Sequence, residues 1–111
     1  MIYSIANEYS KTPGGRFIHE GAFSGEDFRK TVLKPLYLKC KENGEELAVD
    51  LDGGYGYATS FLEEAFGGLV RELKDPGVRK IKIISTEEPA LVERVDQYIT
   101  DALRREGLWT N

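Results

Sequence analysis

The chain has 111 residues, 15 basic against 19 acidic, giving a net charge of −4, so one domain with a single core is expected. Its 41% hydrophobic and 31% charged residues are those of an ordinary globular protein. The acidic balance argues against broad binding to nucleic acid or to an anionic membrane, leaving a protein partner or a small ligand as the expectation.

In chain order, "MIYSIANEY" is rich enough in β-branched and aromatic residues to predict a first strand. The turn residues of "KTPGGR" follow, and "RFIHEGAF" reads as a second strand, so the two predict an antiparallel hairpin. "SGEDFRKTVLKPLYLKCKENG" is helical, opened by Ser24 and Asp27 in a pattern like a capping box and closed at Asn43-Gly44. Phe28, Val32, Leu36 and Cys40 form its apolar stripe. Pro35 interrupts that stripe and is expected to kink or split the helix.

"EELAVDLDGG" predicts a short strand with Leu47, Val49 and Leu51 on one face and Ala48, Asp50 and Asp52 on the other. "SFLEEAFGGLVRELKD" is the strongest helical pattern in the chain. Gly67 and Gly68 lie inside it, each costing about 0.8–1.0 kcal/mol relative to Ala. They signal a break, or another element passing too close for a Cβ, and packing is the favoured reading. "IKIIS" and "TEEPALVERVDQYITDALRREG" supply the last strand and helix. The predicted order is β-β-α-β-α-β-α, an α/β domain with a mixed sheet of about four strands flanked by three main helices.

Chemistry concentrates in "DGGYGYATSFLEEAFGG". Ser60 with Glu63 three residues on reads as a capping box directly before an apolar helical run. Thr59 then falls just outside the helix, where a phosphate would meet free N–H groups and the positive end of the dipole. Glu63, Glu64, Asp50 and Asp52 would repel that charge, and the repulsion could itself release a docked partner. Tyr55 and Tyr57, flanking Gly56 on a glycine-rich loop, suit a binding surface, which is expected to take in Thr59 and an exposed first helical turn carrying Glu63 and Glu64. Arg16, after Gly14-Gly15, is a candidate to contact an anion or to pair with a neighbouring acid.

Across nearly the whole length, "GGRF", "SGEDFR" and above all "DLDGGYGYATSFLEEAFGGL" resemble the STAS-like domain family of unknown function, relatives of anti-sigma-factor antagonists. The resemblance implies a mixed sheet flanked by helices. In STAS antagonists a partner kinase phosphorylates a serine at the start of the helix after the third strand, within an Asp-Ser-Ser-Gly pattern. That pattern falls on Ala58, Thr59, Ser60 and Phe61, which makes Thr59 the implied phosphoacceptor, with Ser60 beside it. An ATPase-type kinase is the kind of partner so implied.

Other chemistries are less well served. Gly54-Tyr55-Gly56-Tyr57-Ala58-Thr59 lacks the last glycine of a dinucleotide fingerprint, and no P-loop motif occurs. Asp50 and Asp52 could hold Mg²⁺ with Glu63, but such carboxylates more often accept loop N–H groups. A hydroxyl nucleophile needs a base, and His19 is the only histidine. With Cys40 as the single cysteine, neither an intrachain disulfide nor a zinc set can form. The start shows no secretory signal and no run approaches the ~20 apolar residues of a membrane span, so a cytoplasmic location is expected. The expectation is a non-enzymatic interaction domain without a cofactor. A nucleotide-binding protein or enzyme using the acidic loop, and a purely structural adaptor, are the alternatives.

Overall fold

The computed structural model describes residues 1–110. Three short stretches form the sheet: β1 (Ile2–Ser4), β2 (Ala48–Asp50) and β3 (Lys82–Ile84). All pairings are parallel in the order β1-β2-β3, and the register aligns Tyr3, Val49 and Ile83. That row packs on the core together with Leu47 and Leu51, as alternation along "LAVDL" requires. On the opposite face Ile2 and Lys82 are exposed.

The predicted hairpin does not form, so among the described residues the sheet has three strands and no antiparallel member. The chain turns at Ser4, whose Oγ accepts from the Asn7 N–H and opens α1 (Ile5–Glu8). That turn carries Ile5 and Ala6 into the core on a helix instead of a strand. "RFIHEGAF" is a loop around a 3₁₀ turn at Ile18–Glu20. Its backbone donors go to carboxylates: Glu20 accepts from the N–H groups of Arg16 and Phe17, and Glu26 from that of Ile18. A backbone satisfied by side chains has no need of a ladder.

Two helical runs pack on the sheet with the last helix. The first comprises α2 (Gly25–Phe28), a π turn (Arg29–Leu33) and α3 (Lys34–Asn43). Ser24 caps it by accepting from the Asp27 N–H, while the Asp27 carboxylate takes the Tyr9 hydroxyl at 2.5 Å. Pro35 is accommodated without a break, because the wide turn before it replaces the i→i−4 geometry that a proline ring obstructs. Gly44, at φ 68°, ends the run in the left-handed conformation.

The second run comprises α4 (Thr59–Leu62), another π turn (Glu63–Gly67) and α5 (Gly68–Leu73). The two glycines neither break nor end it. A Cβ on Gly68 would overlap the Arg29 guanidinium, and one on Gly67 the Glu63 carboxylate. Arg29, only 8% exposed, lies across this bare stretch of helix. Its Nη1 donates to the Glu64 carboxylate at 2.5 Å and to the Glu64 carbonyl at 2.8 Å, and its Nε donates to Glu72 at 3.2 Å. Gly25 serves the same interface, since a Cβ there would lie 2.5 Å from the Phe61 carbonyl oxygen. A 3₁₀ turn (Pro76–Lys80) and β3 then lead to α6 (Ala90–Arg105), which buries Leu91, Val95, Ile99 and Leu103. Among the described residues no helix is long and apolar enough to cross a membrane.

These contacts differ in how they can yield. Gly25→Ala drives a methyl into backbone and should lose about 1–3 kcal/mol of stability in urea unfolding. Gly67→Ala meets a carboxylate that can swing aside and gains helix propensity, so a smaller loss is expected. The reverse order would show that the glycines are not there for close approach.

Candidate functional site

The strand β2 delivers its chain into the loop 51–58, which reverses through Gly53 and Gly56 at φ 90° and 127°. Both angles suit glycine and strain other residues. Asp52 clasps the loop to the segment after β3: it accepts from the Thr86 N–H, the Thr86 hydroxyl and the Glu87 N–H. The Thr86 hydroxyl and these two amides hold the Asp52 carboxyl below its ordinary range. Asp50 accepts from the Asp52 N–H, and Glu87 from the Gly53 N–H at 2.5 Å. The two aspartates are thus held as loop acceptors. Glu63, proposed as their third metal ligand, is turned to arginines. Among the described residues no group of three or more His, Cys, Asp or Glu could hold a metal ion.

Under the loop lies a cleft of about 310 Å³, lined by Asp52, Tyr57, Glu87 and Glu88 among others. Its acidic walls oppose the phosphates of a nucleotide. Tyr57 packs on Phe61 with ring centroids 6.0 Å apart. Its hydroxyl is buried without a hydrogen-bond partner among the described residues. Burial, then the charges of Asp50, Asp52 and Glu87, push that hydroxyl up to about 12. Tyr55, by contrast, is 83% exposed.

The helix starts earlier than its sequence suggests. Ala58 is the N-cap, and its carbonyl accepts from the N–H groups of Phe61 and Leu62. Thr59 and Ser60 are therefore the first two helical residues, and no side chain caps the run. The capping box assigned to Ser60 and Glu63 is corrected accordingly. Thr59 is exposed, and among the described residues nothing bonds its hydroxyl.

Glu63 and Glu64, expected on an exposed first turn, are held inward by arginines. Arg71 contacts Glu63 at 2.8 and 3.0 Å, and Arg16 contacts Glu63 at 2.7 Å and Glu64 at 3.2 Å. Burial pushes the Glu63 carboxyl up, but Arg71 and Arg16 outweigh it and hold it below the ordinary range. Glu64 is buried against Arg29. Arg16 is thus engaged by two acids, and its anchor ties the 13–23 loop to the second helical run. The glycine pair and Arg16, as a partner for a neighbouring acid, are the sequence signals for this network; nothing in the sequence marks Arg29, Arg71 and Glu72 as its members.

The chain was compared with known proteins. Residues 24–91, more than half of the chain, match the model of a family described as "STAS-like domain of unknown function (DUF4325)". No curated protein and no solved structure matches.

The shifted helix start separates two serines. Ser24→Ala removes an N-cap and should lower stability by about 1 kcal/mol. Ser60→Ala should fall within about 0.5 kcal/mol of the parent protein. Thermal or urea unfolding measures both, and a larger loss for Ser60→Ala would restore the capping box.

Proposed function

Since the chain belongs to the family of STAS-like domains of unknown function, we propose that it is a regulatory interaction domain, switched by charge at Thr59. The observation that carries this reading is the Thr59 hydroxyl, exposed and unbonded on the first residue of a helical run whose cap offers no side chain. The contact surface is Tyr55, Gly56, Tyr57, Thr59 and Ser60. The partner is a protein, an ATPase-type kinase being the kind that the family relationship suggests.

The electrostatics favour a switch more than the bare sequence does. Thr59 and Glu63 are i,i+4 neighbours on one helix face. Glu63 is already paired with Arg16 and Arg71, so it repels a new anion less than a free carboxylate would. A phosphate on Thr59 competes with Glu63 for those two arginines. Loosening Arg16 from Glu63 frees the loop that carries the exposed Phe17, Ile18 and Phe23. One charge thereby changes both the loop tip and the apolar surface beside it.

Affinity capture from the cells of origin tests this, with Thr59→Glu compared against Thr59→Ala and mass spectrometry of Thr59 in the native protein. A partner retained by one variant and lost at least tenfold by the other is expected. Indistinguishable capture by both variants would end the switch reading.

A further inference from the structure

We propose that the outer edge of β3 is a homodimer interface, on which a second copy of this chain pairs antiparallel and extends the sheet through Ile83. Within the sheet, the Lys82 N–H donates to the Leu47 carbonyl and the Ile84 carbonyl accepts from the Leu51 N–H. Those residues spend their backbone groups on β2. In a parallel ladder the intervening Ile83 must then direct its N–H and C=O away from β2. Among the described residues no strand lies beyond it.

The two edges of the sheet differ. On β1 the outward Ser4 N–H is taken by the Glu8 carboxylate at 2.9 Å, a contact within its own chain. On β3 the outward groups are bare and flank an apolar groove of about 420 Å³ between the strand and α6, which includes Ile83, Val92 and Ile99. Val92 is 37% exposed there, a valine on an otherwise charged helix face.

The groove is also self-complementary in charge. Arg79 and Lys82 lie on its strand side, Glu93 and Asp96 on its helix side. Arg79, whose guanidinium stacks over Trp109 at 4.3 Å, precedes β3. Glu93 lies in the first turn of α6, beyond the strand's other end. Antiparallel pairing therefore carries Arg79 toward the partner's Glu93 and offsets the repulsion of two chains of net charge −4. About a two-fold axis, each Ile83 N–H donates to the partner's Ile83 carbonyl, and each Ser85 N–H to the partner's Ile81 carbonyl. The Ile81 N–H is already turned to Val78. A two-fold repeats every one of these contacts, so each favourable pairing counts twice.

Sedimentation of the full chain at roughly 0.1–1 mM, a range in which even weak association shows, tests the interface. The parent protein should sediment at twice its 12.5 kDa mass. Val92→Glu, an exposed change that leaves the core intact, should weaken the dimer at least tenfold. Ile83→Pro, which removes the outward N–H without breaking the β2 ladder, should do the same, with circular dichroism reporting that each variant is folded. Ile2→Lys on the β1 edge should leave association unchanged. A parent protein that stays monomeric throughout this range, or a folded Val92→Glu variant that dimerises as well as the parent, would overturn the proposal.

Discussion

One buried ion pair organises this molecule. The Arg29 guanidinium lies across the second helical run where Gly67 and Gly68 leave the helix without side chains, and Glu64 answers it with both its carboxylate and its carbonyl. Burying such a pair costs desolvation of both ions, which the interaction offsets only when the geometry is close and the remaining donors find partners. Here Glu72 takes the Arg29 Nε, and Lys34 pairs with Glu72 in turn. The glycines therefore bring no flexibility. They are the space into which an arginine fits.

The same pair determines what the loop ahead of it can do. With Glu64 drawn inward and Glu63 held by Arg16 and Arg71, the start of the second run presents little free acid to solvent. The charges that would have repelled an incoming anion belong to internal pairs instead. Asp52 is likewise committed, accepting from the backbone of Thr86 and Glu87. What remains exposed on this surface includes Tyr55 and Thr59. Among the described residues no group of three or more His, Cys, Asp or Glu stands beside it to hold a metal ion.

Much of the fold was legible because it follows from periodicity. The face of Leu47, Val49 and Leu51, the stripe of the second helical run and, apart from the exposed Val92, that of the last helix reach the core as their spacing requires. Ser24 and Gly44 mark the ends of the first run where their chemistry places them. The hairpin failed for a reason that strand propensity does not register, since Glu20 and Glu26 satisfy the backbone donors of "RFI" from a distance of several residues. The site was less legible. Ser60 fits a capping box, yet the Ala58 carbonyl starts the helix before it, and arginines from the first loop and the second run hold the glutamate the box requires. The sequence shows the glycine pair but not which side chain fills the space above it.

A double-mutant cycle on Arg29 and Glu64, read by urea unfolding, is the most direct measurement. Arg29→Ala leaves the buried Glu64 carboxylate with Arg16 and Arg71 alone, and Glu64→Ala leaves the Arg29 guanidinium with Glu72 alone, so each single change should cost up to about 3–5 kcal/mol. The double variant should cost far less than their sum, because it removes both charges at once. Small and additive losses, each within about 0.5 kcal/mol, would show that the pair is incidental and that something other than Arg29 holds the two helical runs together.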